Sequence, residues 1–164
     1  QPDFAEFVGR ALRTWKIAPG RLVIEIHETA LAIGIDQVND TLTRLKAAGV
    51  RLAIDDFGTA SSSLSNLAQL PLDEVRIGAT FVGHMQHATF HAKIVRSLAH
   101  VAQDLGLTVT ADGVPDADTA AALKALGCAR IQGRYVGNPM SSHEVLACEI
   151  SAAGPARLPV GPEY

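Results

Sequence analysis

Short apolar runs of strand length alternate along this chain with longer stretches whose apolar residues recur at helical spacing, and this alternation narrows the possible folds more than any other feature. A strand, a helix and a second strand make a parallel pair, so repeated units of this kind build a parallel sheet covered by helices. Leu22-Val23-Ile24-Glu25-Ile26 reads as one buried strand, and 52–55, 74–77, 107–111 and 129–135 read as four more. Phe4, Phe7, Val8, Leu12 and Trp15 mark a helical face, with Asp3 and Glu6 placed as a capping box and Pro19-Gly20 closing the element. Trp15 continues that stripe and is expected in the core.

Val38, Leu42 and Leu45 form the next stripe, started by Asp36 and stopped by Gly49. A short helix around Leu64 and Leu67 ends before Pro71. A long one carries Phe90, Ile94, Leu98, Val101 and Leu105 and stops at Gly106. Asp116 and Gly127 bracket a helix over 117–126, and a last helix is expected over 142–150. Residues 1–150 thus read as one domain, with 151–164 as an unpaired tail rich in Pro and Gly.

At 164 residues and 48% hydrophobic content the chain can bury one sizeable core. Lys and Arg number 14 against 17 Asp and Glu, a net charge of −3 with no basic cluster, which speaks against nucleic acid or anionic membrane as a general partner. The apolar runs are short and broken by charge, so no transmembrane span or signal peptide is read and a cytoplasmic location is expected. Cys128 and Cys148 match no zinc or redox spacing and read as reduced thiols.

Polar residues gather where these strands end: Glu25 and Glu28, then Asp55 and Asp56, then Asp112, then Gln132. In parallel sheets ligands sit beyond the C-terminal strand ends, so acids and an amide delivered to one edge indicate a common site. The adjacent pair Asp55-Asp56 is its most informative part. Neighbouring carboxylates repel unless a cation or strong donors compensate, and hard divalent ions favour such oxygens. Strand alternation sends one acid inward and the other over the rim.

At these residues the chain resembles the EAL-domain family, bacterial phosphodiesterases that hydrolyse cyclic di-GMP on a (β/α)8 TIM-type barrel. Leu22-Val23-Ile24-Glu25-Ile26-His27-Glu28-Thr29 is similar to the family's L-x-L-E-I-T-E strand, and the run from Asp55 through Phe57, Gly58 and Thr59 to Leu64 to its D-D-F-G-T-G-Y-S-S-L loop. Leu70-Pro71-Leu72-Asp73-Glu74-Val75-Arg76-Ile77-Gly78 resembles L-P-x-D-x-L-K-I-D. Ala111-Asp112-Gly113-Val114, then Leu126-Gly127-Cys128 and Gln132-Gly133, parallel A-E-G-V-E and L-G-C-x-x-x-Q-G. The likeness runs from about residue 2 to 143.

The resemblance implies roles. Glu25, Asp55, Asp56 and Asp112 fall on positions tied to divalent ions, Mg2+ or Mn2+, and Gln132 and Arg76 on positions that face nucleotide or active-site water. Glu28 and Thr59 fall on positions that fasten the loop after Asp56. The implied chemistry is attack on a phosphodiester by metal-activated water.

The departures bear on that chemistry. Arg76 stands at the family lysine, and a guanidinium supplies charge but cannot take a proton. Gly78 replaces the aspartate of K-I-D, Pro115 a glutamate, and Asp112 shortens the reach of another; Ala60 and Ser61 replace Gly and Tyr in the loop. The Glu-Ala-Leu signature and a metal-binding asparagine are not found, the chain opens on Gln1, and about five strands are legible where a closed barrel has eight. A piece of a longer protein, or a chain that self-associates through open sheet edges or is unstable, is therefore expected.

These implications favour a degenerate EAL module of cyclic di-GMP signalling that is non-catalytic and acts by protein contacts or weak nucleotide binding, with metal weakly held or lost. The alternative within the family is an active metal-dependent phosphodiesterase yielding linear pGpG. Outside it stands a sugar-phosphate barrel with a coincidental likeness. His87 and His91 have the spacing of a helical metal pair, but no Cys or acid completes it, so they and His84 and His100 read as solvated or capping. Arg130 and Arg134 lie near the last strand as candidates to meet a phosphate, but surface arginines near barrel loops are commonplace.

Overall fold

The computed structural model of the protein describes residues 3–33, 35–59, 64–86 and 88–147. The elements follow one another as α1 (Phe4–Thr14), β1 (Val23–His27), α2 (Ile35–Ala47), β2 (Arg51–Phe57), α3 (Leu64–Gln69), β3 (Glu74–Ile77), α4 (Ala79–Val82), α5 (Thr89–Asp104), β4 (Thr108–Ala111), α6 (Ala117–Ala125), β5 (Arg130–Ile131) and α7 (Ser142–Ala147). Two 3-10 turns, Pro19–Arg21 and Glu28–Ile33, flank β1.

The strands form one parallel five-stranded sheet in the order β1-β2-β3-β4-β5. Strand order equal to chain order, with right-handed crossovers, winds the helices onto one face, which is the construction of a barrel wall; a doubly wound sheet would reverse direction midway. The two faces differ sharply in chemistry. Leu52, Ile54, Val75, Ile77, Val109 and Ala111 are all but fully buried and share one core with Leu42 and Leu45 of α2, Leu67 of α3, Val95, Ala99 and Ala102 of α5, and Leu123 of α6. On the alternate positions stand Arg51 and Asp55, Glu74 and Arg76, Thr108 and Thr110, and Arg130, a polar face turned away from the helices.

Asp73 fastens the entry to this sheet. Its carboxylate accepts the Leu52 N–H at 2.9 Å, its own N–H donates to the Leu52 carbonyl at 2.9 Å, and its carbonyl accepts the Thr108 N–H at 2.9 Å. Lys46 closes an ion pair on the same carboxylate. One residue therefore joins β2, the approach to β3, and β4. Asp3 caps α1 by accepting the Ala5 N–H at 3.0 Å, and Asp116 caps α6 by accepting the Thr119 N–H at 2.8 Å.

Several expectations need correction. Trp15 is not core: it is 75% exposed just past the end of α1, and Phe4 and Phe7 are also exposed. The face of α1 that packs is Ala5, Val8 and Leu12, whereas Phe4, Phe7, Trp15, Ile17, Leu22 and Ile24 line an open apolar groove beside β1. The stripe is amphipathic as read, yet among the described residues nothing covers its aromatic side. On α5 the buried seam is Val95, Ala99 and Ala102, while Phe90 and Leu105 are exposed. Alanines allow close approach to the sheet, so the seam lies on them.

The strand read over 129–135 is only Arg130–Ile131, because residues 133–135 turn over the strand end with Tyr135 N–H donating to the Val114 carbonyl at 3.1 Å. His91 is not solvated: its ring lies against Phe81, His84 and Phe90, and its Nδ1 is buried. His84 Nδ1 pairs with the Thr80 carbonyl at 3.0 Å. His87, the loop substitutions Ala60 and Ser61, Cys148 and the tail lie outside the described residues. Among the described residues no helix is long and apolar enough to cross a membrane.

Burial opposes ionisation of Asp73, but its bonds to Lys46 and the Leu52 N–H and the charge of Arg51 outweigh that and hold its carboxyl below the ordinary value near 3.8. Such a group stabilises the fold above its unfolded pKa, and the contribution disappears as pH falls through its folded value. Asp73→Ala is expected to cost about 1–3 kcal/mol at neutral pH in urea unfolding, since it strands the Leu52 N–H. The gap between variant and wild type should narrow as pH is lowered below 3.8.

Candidate functional site

The polar face is organised by two residues of β3 that are two positions apart. Glu74, the first residue of the strand and 5% exposed, accepts from Thr110 Oγ1 at 2.6 Å, from Arg51 Nη2 at 3.1 Å and from Arg130. Arg76, whose side chain is 13% exposed, stands nearer the C-terminal ends and engages acids from three other strands or strand ends. Its Nη1 donates to Glu25 on β1. Its Nε and Nη2 fork onto both oxygens of Asp112, at 3.1 Å for Nε and at 2.8 and 2.9 Å for Nη2. Nη2 also donates to Gln132 Oε1 at 2.9 Å, and Nε lies 3.5 Å from Asp55 Oδ1.

Burial opposes the charge on Arg76, but the bonds to Asp112 and the charges of Asp112, Glu25 and Asp55 outweigh it and hold the guanidinium above its ordinary value. Asp112 moves in the opposite sense of stability. Burial pushes its carboxyl up, Arg76 pulls it down, and the repulsion of Asp55 and Asp56 pushes it up again, so that its pKa stays raised. For Asp112 the one shared cation does not outweigh burial and the neighbouring carboxylates.

Asp55 and Asp56 sit on a local irregularity. Ile54 pairs with Val75 and Phe57 with Ile77, so β2 carries three steps where β3 has two. Asp56 takes φ 53°, in the left-handed region. Asp55 points to Arg76, and Asp56 turns away to His27, whose Nε2 is 3.1 Å from Asp56 Oδ2. The Thr29 N–H donates to His27 Nδ1 at 3.3 Å and the Thr29 hydroxyl lies 2.8 Å from the same nitrogen, so the proton belongs on Nε2 and is donated to Asp56. On the other side, a Cβ at Gly78 would lie 2.6 Å from Asp56 Oδ1. The glycine makes room for the carboxylate.

Glu28, 2% exposed, accepts the N–H groups of Gly58 at 2.9 Å and Thr59 at 3.1 Å, and Thr59 Oγ1 donates to the Asp56 carbonyl at 2.7 Å. Gly58 has φ +94°, and a Cβ there would lie 2.7 Å from Leu98 on α5, with Phe81 also in contact. The loop after β2 is thus held from below by a buried carboxylate and pressed against a helix.

The sequence-identified residues Glu25, Asp55, Asp112, Gln132 and Arg76 are therefore brought into one cluster, whereas Asp56 is directed to His27 and Glu28 to the loop. The centre between the carboxylates is taken by the guanidinium. As arranged they do not fit a divalent ion, and among the described residues no three His, Cys, Asp or Glu side chains form a group that could hold one. Arg130 faces Glu74, not the strand-end site where a phosphate would lie. Sequence reasoning missed His27 and the Arg51–Glu74–Arg130 set. The period-two placement of Arg51 and Asp55, and of Glu74 and Arg76, was the available signal. Cys128 is half-buried, and burial pushes its thiol up to about 11, which leaves it unreactive.

The chain is similar in sequence to several bacterial proteins and in structure to several solved chains. The chain is 38% identical over 138 residues to a signaling protein of Caulobacter vibrioides, covering 84% of this chain and 17% of that protein. It is 34% identical over 140 residues to the bifunctional diguanylate cyclase/cyclic di-GMP phosphodiesterase MucR of Pseudomonas aeruginosa, covering 85% of this chain and 20% of MucR. A structure of the MucR phosphodiesterase in complex with c-di-GMP superposes with a TM-score of 0.84 at 32% identity, covering 88% of this chain and 59% of that one. The manganese and cyclic di-GMP complex of Klebsiella pneumoniae BlrP1 gives a TM-score of 0.74 at 32% identity, covering 81% and 34%. The chain spans about a fifth of the length of the curated relatives it matches, 17%, 19% and 21% for the first three. The coincidental sugar-phosphate barrel is thereby set aside. With the EAL domain profile matching residues 1–139, the sequential parallel wall and its acid-lined strand ends are those of a TIM-type barrel of one kind, and the chain belongs to the EAL domain family.

Proposed function

We propose that this chain is a non-catalytic EAL module of cyclic di-GMP signalling, cytoplasmic, that acts by protein contacts and retains at most weak nucleotide binding. The observation that carries this reading is the engagement of Arg76 with Glu25, Asp55, Asp112 and Gln132 at once. Phosphodiester hydrolysis on such a face needs a group that accepts a proton from water and a cation that stabilises the developing charge. The group at the lysine position is a guanidinium that stays protonated, and its donors already face acids. Gly78 offers no side-chain oxygen.

Electrostatics weigh against tight nucleotide binding. Glu25, Asp55, Asp56 and Asp112 outnumber the one cation among them, so an incoming phosphodiester meets a net negative site. Protein contact is supported by the groove of Phe4, Phe7, Trp15 and Ile17 beside β1, an exposed apolar patch among the described residues. The alternative, an active phosphodiesterase, is favoured by one observation: Glu25, Asp55, Asp56 and Glu28 are all in place near one strand edge. It requires Arg76 to withdraw and a divalent ion to enter.

Production of linear dinucleotide from cyclic di-GMP, followed with Mg2+ or Mn2+ present, separates the two. The wild type is expected to give no turnover above Asp55→Ala. Turnover that disappears in Asp55→Ala would establish the alternative. Neither Arg76→Lys nor Gly78→Asp alone is expected to restore product, because members of a catalytic unit act non-additively. Gly78→Asp should also lower stability by about 1–3 kcal/mol in urea unfolding, because its Cβ displaces Asp56 from His27. Finally, the chain should sediment above monomer mass, with Phe7→Asp and Trp15→Asp shifting it toward monomer; an unchanged distribution would remove the groove as the contact.

A further inference from the structure

The geometry points to Arg76 as the resident cation of this site: its guanidinium stands among Glu25, Asp55 and Asp112 where a divalent ion would otherwise be required, so that the strand ends cohere without metal. The inference deepens the non-catalytic reading and rests on it only in treating this face as one site. Three observations carry it. First, every partner of the group is oxygen, three carboxylates and the Gln132 amide, which is the donor set a hard divalent cation selects. A planar fork satisfies Asp112 at both oxygens while reaching Glu25 on the other side, which a compact ammonium cannot do.

Second, the surrounding residues are fitted to this arrangement. Asp56, the acid that would add a further charge, is diverted to His27, and Gly78 leaves the space its Oδ1 occupies. His27, Arg76 and Gly78 lie on or beside β1 and β3 and act on one cluster from both sides of β2. Third, a single guanidinium stands against three carboxylates, those of Glu25, Asp55 and Asp112. Without Arg76, Glu25, Asp55 and Asp112 face one another with no counter-charge at all, a set that both destabilises the fold and attracts a cation.

Removing the guanidinium should therefore convert a metal-indifferent site into a metal-responsive one. The test measures thermal unfolding and Mn2+ binding, the latter by electron paramagnetic resonance, in the absence of nucleotide. Wild type is expected to shift by less than about 1 °C in saturating Mn2+ and to show no bound ion. Arg76→Met is expected to unfold about 5–10 °C lower, to bind Mn2+, and to recover about half of the loss or more when saturated. Arg76→Lys, which keeps a charge without the fork, should fall between the two and serves if the Met variant does not fold. Arg51→Met, at the opposite pole beside Glu74, should lose stability with no Mn2+ response.

The inference is overturned if wild type is stabilised by Mn2+ by several degrees, if Arg76→Met melts with wild type, or if it loses stability with neither binding nor recovery. A Lys variant no more responsive than wild type, or an equal response in Arg51→Met, overturns it as well. The outcome is separable from the turnover assay. A Mn2+ response of the wild type without product sinks the resident cation alone; product with nucleotide present and no Mn2+ response in its absence sinks the non-catalytic reading alone.

Discussion

Two side chains of opposite charge, Glu74 and Arg76, project from the same face of a four-residue strand, and the polar side of this protein is arranged around them. A parallel sheet wound in one direction has helices on one face only, and the other face must manage whatever its alternate residues present. Here those residues are mostly ionisable, so an apolar filling is unavailable. Glu74 gathers Arg51, Thr110 and Arg130 near the strand starts, and Arg76 gathers Glu25, Asp55, Asp112 and Gln132 near the strand ends. Each central charge is therefore surrounded by its opposite. The buried carboxylate is paired and hydrogen-bonded on several sides, as burial of a charge demands.

The same logic explains why the backbone departs from regularity at Asp55 and Asp56 and not elsewhere in β2. A regular strand would place these neighbours on opposite faces, one of them against the apolar core with Ile54 and Phe57. The extra residue and the left-handed Asp56 keep both acids out of the core, one toward Arg76 and one toward His27. Such a conformation costs of order 1–3 kcal/mol for a non-glycine residue, and here Glu28, Thr59 and His27 fix the backbone and side chain around it.

Much of the fold was legible because its signals are local. The bounds of β3 follow from Pro71 and the run Glu74 to Ile77, and Asp3 and Asp116 announce their helices by cap chemistry. The acids of the site were legible for a related reason, since each stands at the end of a readable strand. What failed depends on neighbours. Periodicity at Phe4, Phe7 and Trp15 reports that a helix has an apolar side, not that something packs on it. On α5 the small alanines of the seam carry less hydrophobic signal than the larger residues beside them. The partners of Arg76 lie 21 to 56 residues away in the chain, from Asp55 to Gln132, and only register brings them together. The tie between His27 and Asp56, 29 residues apart, is of the same kind.

Gly58 is where the rim of the site meets the outside of the molecule. With no side chain of its own, it lets the loop after β2 rest directly on Leu98 and Phe81, so that α5 forms the floor beneath that loop. Glu28 clamps the loop from the β1 side through two backbone N–H groups. Gly58 and Thr59 are accordingly held by two bodies outside their own strand, a carboxylate after β1 and the flank of a surface helix. Asp56, whose carbonyl receives the Thr59 hydroxyl, is geared to both.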